Sequence, residues 1–265
     1  MGVTFTNKKR LWLFTLLAIL ALILTYTAFA ESEAINWYCQ NNKTHTPPSL
    51  DKTLSVIEKY DGYYLDKRAK DSDKKIYLTF DAGYENGNVG KILDVLKKHH
   101  ASGAFFILDN LINRAPDLVM RMVEEGHAVC NHTKSHPDMT KIHDLSLFEK
   151  QLSSLEESFT GLTGKQMEKV YRPPQGRFSE ENLAFAQKLG YKTLFWSFAY
   201  ADWDNDRQMS EEAAKKKILD HLHNGEVMLL HPTSETNAKI LDELLTAIEN
   251  EGYRIAPLSE LFEGA

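Results

Sequence analysis

The stretch Ile76-Tyr77-Leu78-Thr79-Phe80-Asp81-Ala82-Gly83 decides the fold of this 265-residue chain. Its first five residues form a mostly apolar run that is typical of a buried strand, and a carboxylate follows where that run ends. Asp81 could cap the next helix, but Gly83 beside it lets the backbone approach a ligand closely. A strand that ends in an acid and a flexible loop predicts one wall of an active site.

Outward from this stretch, strand-like runs alternate with amphipathic helical stretches. Strands are predicted at Ile76–Phe80, Gly103–Leu108, Ala128–Asn131, Lys169–Arg172, Thr193–Ala199, Val227–Leu230 and Tyr253–Pro257. Helices are predicted near residues 88–99, 116–126, 146–160, 179–190, 210–223 and 236–251. This alternation indicates an α/β fold with a parallel sheet and right-handed crossovers, either a barrel or a doubly wound sheet.

The positions of the polar residues favour the barrel. Side chains able to do chemistry stand at or just past the ends of five different predicted strands: Asp81, His132 with His136, Arg172, Asp202 and His231. A barrel gathers such residues on its carboxyl face, whereas an open sheet would concentrate them at one switch point. We therefore expect a distorted parallel (β/α) barrel of about seven strands.

Residues 1–30 have the pattern of an export signal. Lys8-Lys9-Arg10 precede the uncharged run from Leu11 to Ala30, and Ala28-Phe29-Ala30 matches the small-x-small pattern before a signal peptidase site. The run is also long enough to span a bilayer, so an N-terminal membrane anchor is the alternative to a signal peptide cleaved after Ala30. In both cases the basic start predicts that the rest of the chain is extracytoplasmic.

The exported part is predicted to contain an N-terminal extension at 31–74 and one catalytic domain at 75–265. Without residues 1–30 the chain keeps 28 basic and 37 acidic residues, a net charge of −9. This charge argues against nucleic acid as a partner and limits membrane contact to the N-terminal segment. Cys39 and Cys130 are too few for a disulfide scaffold. A bridge between them is compatible with an oxidising compartment, although their spacing does not favour it.

Two histidines form the clearest candidate metal site. His132 and His136 are four residues apart, and on a helical turn or in a compact loop this spacing brings two imidazoles to one ion. An isolated pair of histidines is more often a surface feature. Here the pair directly follows an apolar strand, at the barrel face where active sites are built, which favours metal binding.

Three further motifs supply charge and acid–base groups. In Tyr171-Arg172-Pro173-Pro174-Gln175-Gly176, two prolines stiffen the chain and would hold the arginine in place, where it could pair with a carboxylate. His231 ends the run Leu229-Leu230-His231-Pro232, and a histidine at the mouth of a barrel suits acid–base work better than a core position. Asp202, in the dipeptide Asp202-Trp203, could orient that histidine and raise its pKa.

Together these five blocks resemble the polysaccharide deacetylase family, carbohydrate esterase family 4, with its NodB-homology domain. They are Thr79–Gly83, His132–His136, Arg172–Gly176, Asp202-Trp203 and Leu229–His231, in the order typical of the family. The longer first motif, Thr79 to Gly87, resembles the branch of spore-forming bacteria that de-N-acetylates muramic acid and leads to muramic δ-lactam. Ile35-Asn36-Trp37 and Ile57 to Tyr60 are similar to that branch as well.

The resemblance implies a role for each residue. His132 and His136 would bind a divalent metal (zinc, manganese or cobalt) that polarises the acetamide carbonyl and the attacking water. Asp81 would be the general base, held by Arg172. The backbone N–H of Gln175 would help to stabilise the oxyanion.

On the leaving-group side, the resemblance implies that His231 protonates the amine and that Asp202 keeps this histidine cationic. Trp203 and Leu229 would line the pocket for the acetyl methyl group. The substrate would be peptidoglycan or a related amino-sugar polysaccharide, with N-acetylmuramic acid as the first expectation. Deacetylation of N-acetylglucosamine in peptidoglycan or chitin oligomers is the alternative within the family.

Ala82 departs from the family pattern, because the family usually has a second aspartate there as a metal ligand. An alanine cannot coordinate, so we expect weaker metal binding. Glu85 could replace the ligand, or the enzyme could use two histidines and water. A lactyl carboxylate of the substrate could also approach the metal on that side. The alternative of another class is a non-catalytic protein that binds cell-wall glycan.

Overall fold

A computed structural model describes residues 33–40 and 42–263 of the chain. Within them the strands are β1 Ile35–Asn36, β2 Gly62–Tyr63, β3 Lys75–Ala82, β4 Ala104–Ile107, β5 Ala128–Asn131, β6 Glu168–Tyr171, β7 Arg177–Phe178, β8 Lys192–Leu194, β9 Glu226–Leu230 and β10 Arg254–Ile255. The α-helices are α1 Val89–Lys98, α2 Asp109–Arg114, α3 Pro116–Glu124, α4 Leu145–Thr163, α5 Glu180–Lys188, α6 Glu211–Asp220 and α7 Glu235–Asn250. Four 3-10 helices lie at Leu54–Tyr60, Met139–Lys141, Pro174–Gly176 and Leu258–Phe262.

The main sheet is parallel and curls into a barrel. Its order is β10-β3-β4-β5-β6-β8-β2, and β9 also pairs with β3. After β8 the chain crosses to β9: Ser197 N–H donates to Val227 O at 3.0 Å, and Leu229 N–H donates to Phe198 O at 2.9 Å. These bonds bring the far side of the sheet back to β9, so the predicted distorted parallel barrel is confirmed.

Strand β3 shows how the barrel directs side chains to its mouth. Ile76, Leu78 and Phe80 pack in the large hydrophobic cluster with the helices. Tyr77 belongs instead to a second cluster with residues of β4, β6, β8 and β9. Because side chains alternate along a strand, the odd-numbered residues of β3 point away from the helices. Asp81, the last of them, therefore emerges inside the barrel at the carboxyl end of the strand.

The prediction and the structure differ at one strand and one helix. The predicted strand Thr193–Ala199 is regular only over β8: Phe195 still bonds to β2, but from Ser197 onward the chain bonds to β9. The sequence pattern did not predict α2, a short helix directly before α3. Pro116 stands at the start of α3. Since proline has no N–H to continue a preceding helix, it separates α3 from α2.

From Ala34 onward, the N-terminal extension belongs to the same compact unit as the barrel. Trp37 stacks on Phe195 with ring centroids 4.4 Å apart, and its Nε1–H donates to Trp196 O at 2.9 Å. Strand β1 pairs with β7, and β2 extends the main sheet beside β8. The extension therefore supports the back of the loop that carries Trp196.

The predicted signal or anchor at residues 1–30 lies outside the described residues. Among the residues that are described, no helix has the length and hydropathy to cross a bilayer. Cys39 and Cys130 are both free thiols, so the bridge considered from the sequence is not formed. Cys130 is fully buried in β5, where a cysteine behaves as a small apolar residue.

Candidate active site

A cavity of about 740 Å³ opens at the carboxyl ends of the barrel strands. Its size is that of a small-molecule or single-sugar site rather than a shallow surface dent. Seven of the nine predicted site residues line it: Asp81, His132, His136, Gln175, Trp203, Leu229 and His231. The other two, Arg172 and Asp202, are buried, with relative exposures of 0% and 1%. Arg172 contacts the lining residue Asp81, and Asp202 contacts the lining residue His231.

Arg172 is the buried partner of Asp81. Its Nη1 donates to Asp81 Oδ1 at 2.7 Å, and its Nη2 donates to Thr79 Oγ1 at 2.9 Å. Nε donates to Leu194 O at 3.1 Å, and the guanidinium lies 4.0 Å from the centre of the Phe106 ring. These contacts satisfy a charge that has no access to water, and they fix the guanidinium against the carboxylate.

The charge around Asp81 keeps it ionised. Burial by itself would raise the pKa of Asp81, but the charge of Arg172, together with His132 and His231, outweighs burial and lowers this pKa below its ordinary value. Asp81 Oδ2 lies 3.5 Å from His132 Nε2. An ionised carboxylate that faces a cavity can accept a proton from a bound water.

A compact loop, not a helix, presents the two histidines. Asn131 Oδ1 accepts from Thr133 N–H, and Thr133 Oγ1 accepts from His136 N–H, both at 2.9 Å. Thr133 and His136 have φ of 74° and 58°, in the left-handed region that tight turns require. The two imidazole centroids end 4.9 Å apart. The sequence spacing predicted this convergence.

Both imidazoles are suited to bind a metal. His132 Nδ1 lies 2.9 Å from the carbonyl oxygen of Arg172, which can only accept, so this nitrogen carries the hydrogen and Nε2 has its lone pair free toward the cavity. Burial lowers the pKa of His132 to about 4 and also lowers that of His136. Both rings are therefore neutral near pH 7, the form that coordinates an ion.

Residue 82 supplies no metal ligand in this chain. Ala82 is fully buried in the cluster of helix-facing side chains and is not among the residues that line the cavity. Glu85 Oε2 accepts from Val89 N–H at 3.0 Å, and its Oε1 accepts from Gly87 N–H. Glu85 therefore holds the start of α1 and is not positioned as a substitute ligand.

Within residues 33–40 and 42–263, no group of three or more histidine, cysteine or acidic side chains is arranged to hold a metal ion. The donor set consists of two neutral imidazoles beside the Asp81 carboxylate. These groups fit an ion held by two histidines, with its other positions open to water and substrate.

His231 and Asp202 form the second charged pair of the site. His231 Nδ1 donates to Asp202 Oδ1, and the His231 backbone N–H donates to Asp202 Oδ2, both at 2.7 Å. Burial would lower the pKa of His231, but the hydrogen bond and charge of Asp202, together with the charge of Asp81, raise it above its ordinary value. The predicted pairing is present, and it favours a protonated His231 near neutral pH.

Sequence reasoning did not identify Asn237, which belongs to this pair. Its Nδ2 donates to Asp202 Oδ2 at 2.6 Å and to His231 O at 3.2 Å. The available signal was Ser234, separated by one residue from the His231-Pro232 dipeptide, because an N-cap residue there predicts a helix start whose first turn holds Asn237, next to the candidate acid.

Gln175 and Gly176 form part of the cavity wall. Gln175 lines the cavity with φ of 61°. Gly176 has φ of 63°, and a Cβ built on it would lie 2.5 Å from the Trp196 ring. Only glycine therefore allows this turn to close on Trp196.

The rim of the cavity is aromatic. Trp203 and Tyr84 are 62% and 43% exposed, and both line the cavity. Asn205 Nδ2 donates to Tyr84 Oη at 2.8 Å, which links the loop after β3 to the loop after β8. Leu229 lies in the wall and is only 4% exposed. Leu229 thus adds an apolar surface to the wall, and Trp203 an exposed aromatic ring to the rim.

Comparison with known proteins agrees with this geometry. The family model for polysaccharide deacetylase matches residues 68–194. The peptidoglycan-N-acetylmuramic acid deacetylase PdaA of Bacillus subtilis is 39% identical over 254 residues, which cover 94% of this chain and 95% of that protein. A peptidoglycan-N-acetylglucosamine deacetylase of Bacillus cereus is 30% identical over 193 residues, 71% of this chain and 68% of its own.

Among solved structures, that of Bacillus subtilis PdaA, described as a family 4 carbohydrate esterase, has a TM-score of 0.82 and 41% identity. The match covers 87% of this chain and 97% of that one. Both the sequence and the fold are therefore shared over nearly the whole length. The chain belongs to the polysaccharide deacetylase family, carbohydrate esterase family 4, hydrolases that act on the amide carbon–nitrogen bond of N-acetylated sugars.

Proposed function

We propose that this enzyme removes the N-acetyl group of N-acetylmuramic acid residues in peptidoglycan. The observation that carries the proposal is the pair of charged systems facing one cavity: Asp81, whose pKa is lowered by Arg172, and His231, whose pKa is raised by Asp202. Two titratable groups whose pKa values are pushed apart provide a base and an acid at the same pH.

On this proposal, Asp81 accepts a proton from the attacking water while the oxygen of that water bonds to the acetamide carbon. The backbone N–H of Gln175 faces the developing oxyanion. His231 then donates its proton to the sugar nitrogen while the carbon–nitrogen bond breaks, releasing acetate and a free amine. Arg172 and Asp202 do not touch the substrate; they fix the charge state and orientation of the two groups that do.

A divalent ion held by His132 and His136 would supply polarisation of the carbonyl and of the water. Zinc, manganese and cobalt all accept imidazole ligands. With two protein imidazoles as its ligands, the ion would be held less tightly than in a site with three protein ligands.

The muramoyl substrate is supported by the similarity to PdaA over 94% of this chain and 95% of that protein. The N-acetylglucosamine alternative is supported by the more distant Bacillus cereus relative. In a peptide-free muramoyl product, the new amine is next to the lactyl carboxylate, and loss of water between them would give muramic δ-lactam. The basic and apolar N-terminal segment supports action outside the cytoplasm.

The experiment is to measure acetate release from peptide-free muramoyl glycan and from chitin oligomers, each with added Zn²⁺, Mn²⁺ or Co²⁺. We expect release from the muramoyl glycan, and loss of it in Asp81→Asn and His231→Ala. Asp94→Asn and His143→Ala, exposed on the helical side and in a loop, are the matched controls. Faster release from chitin oligomers would establish the glucosaminyl alternative. Release from neither substrate would support a glycan-binding protein without activity.

A further inference from the structure

Asn237 is a buried polar residue that the catalytic scheme above does not use. It lies in the first turn of α7 and is only 1% exposed. Its Nδ2 donates to Asp202 Oδ2 at 2.6 Å and to His231 O at 3.2 Å, while its Oδ1 accepts from Tyr200 Oη. One side chain thus contacts both members of the predicted acid pair, Asp202 and His231, and also Tyr200, which lines the cavity.

These contacts allow only one orientation of the amide. The Asp202 carboxylate and the His231 carbonyl are acceptors, so the Asn237 nitrogen must face them. The Tyr200 hydroxyl can donate, and it meets the amide oxygen. Because each end of the amide has a partner of the opposite kind, a flipped amide would place acceptor against acceptor.

Asp202 receives three hydrogen bonds through this arrangement. His231 gives one from Nδ1 and one from its backbone N–H, and Asn237 gives the third. Without Asn237, Oδ2 would keep only the backbone N–H in a site that water does not reach. The carboxylate could then rotate away from the imidazole.

The start of α7 does not depend on this side chain. Ser234 caps the helix, since its Oγ accepts from Asn237 N–H at 3.1 Å. Thr236 ties the helix to the loop after β8 by donating to Met209 O at 2.8 Å. The side chain of Asn237 is therefore directed at Asp202 and His231 rather than used to build the helix.

We propose that Asn237 is a positioning residue that locks the Asp202 carboxylate against His231, so that the imidazole presents its Nε2–H to the substrate nitrogen. The proposal rests on the proposed function, in which His231 is the acid. The other charged or titratable groups around His231 are Asp81 on β3, Arg172 after β6, His136 after β5 and Tyr200 after β8. None of them contacts Asp202 Oδ2 among the hydrogen bonds of the described residues.

The test compares Asn237→Ala and Asn237→Asp with Thr236→Val, which removes a hydrogen bond between the same helix and the same loop. For acetate release we expect Asn237→Ala to lower kcat about tenfold or more, with KM changed by less than about twofold, because the lost bond is to a charged group. Thr236→Val should lower Tm by about as much as Asn237→Ala does, but leave kcat within about twofold of wild type.

Asn237→Asp adds a readout that a structural role would not move. The new carboxyl would face Asp202 and could donate only when protonated, so activity should recover relative to wild type as the pH falls from about 8 to about 5. A loss that is constant over this range, or kcat values in both Asn237 variants that match Thr236→Val, would overturn the proposal.

A spectroscopic measurement separates this proposal from the proposed function. The proton on His231 Nδ1 should give a strongly downfield NMR signal in wild type and in Thr236→Val, and the signal should weaken or shift upfield in Asn237→Ala. This result would support the positioning role even if no acetate were released from either glycan. An unchanged signal in Asn237→Ala would contradict it.

Discussion

Two aspartates of the same site, Asp81 and Asp202, have opposite surroundings. Asp81 lies at the end of a barrel strand, is paired with the fully buried Arg172, and keeps one oxygen toward the cavity. Asp202 lies in a loop, is 1% exposed, and has both oxygens engaged by His231 and Asn237. The comparison teaches that a carboxylate with a free, cavity-facing oxygen can act on water, whereas one with no free oxygen can act only through its neighbour.

The largest expected effect is from Asp81→Asn. The amide cannot accept the proton of the attacking water, and general-base loss typically costs about 10² to 10⁴ in rate. We expect kcat for acetate release to fall by that order, with Asp94→Asn on the outer face of α1 unchanged. If Asp81→Asn kept more than about a tenth of wild-type kcat, the assignment of Asp81 as base would be wrong.

Asp202→Asn should change the pH dependence rather than abolish the reaction. The pKa of His231 is raised above 6.5 by Asp202, so its protonated form is present at lower pH and is lost as the pH rises through that raised value. Removing the charge lowers this pKa, and the basic limb of the kcat/KM profile should move to lower pH. The acidic limb, which reports Asp81, should stay at its wild-type position, because the charge of Arg172 still lowers the pKa of Asp81.

The profile of Asp206→Asn, an exposed change in the same loop, should overlay that of wild type. An Asp202→Asn variant whose basic limb coincides with wild type would break the distinction between the two aspartates. It would mean that another group sets the protonation of His231.

The strand-built half of the site could be predicted from sequence, but the loop-and-helix half only partly. The apolar run before Asp81 fixed its place, because strand alternation and a barrel mouth leave one direction for that side chain. The His132–His136 spacing likewise predicted convergence. Asn237 was missed because its contact with Asp202 joins segments 35 residues apart, and a helix-start pattern does not say which neighbour it meets.

The surroundings of Ala82 could not be predicted from local sequence either. From sequence, its place beside Asp81 suggested a vacant ligand position on the cavity. In the fold, adjacent strand residues point to opposite sides, and Ala82 packs with the helix-facing cluster. Local sequence thus predicted which residue differs from the family, whereas the burial of that residue depended on the direction of one strand.

Thr79→Val should have a smaller effect, through the support of Asp81. Thr79 Oγ1 accepts from Arg172 Nη2 at 2.9 Å and donates to Met228 O at 2.8 Å, and it is fully buried. Valine has nearly the same shape but neither bond, so the free energy of unfolding should fall by about 1–3 kcal/mol. We expect a several-fold lower kcat together with this loss, measured by acetate release and urea unfolding. Full activity with lower stability would show that Asp81 does not need this support.

The smallest expected effect is at the aromatic rim, where Tyr84 has no recorded hydrogen bond to either aspartate. Tyr84→Phe keeps the ring but removes the bond to Asn205, which joins the two loops at the entrance. Because this bond is exposed and touches neither charged pair, we expect KM for the muramoyl glycan to rise about twofold to threefold with kcat unchanged. Tyr38→Phe, an exposed tyrosine that does not line the cavity, is the matched control. A change in kcat at constant KM would place Tyr84 with the catalytic pairs instead, since binding at the rim acts before chemistry and positioning of the charges acts during it.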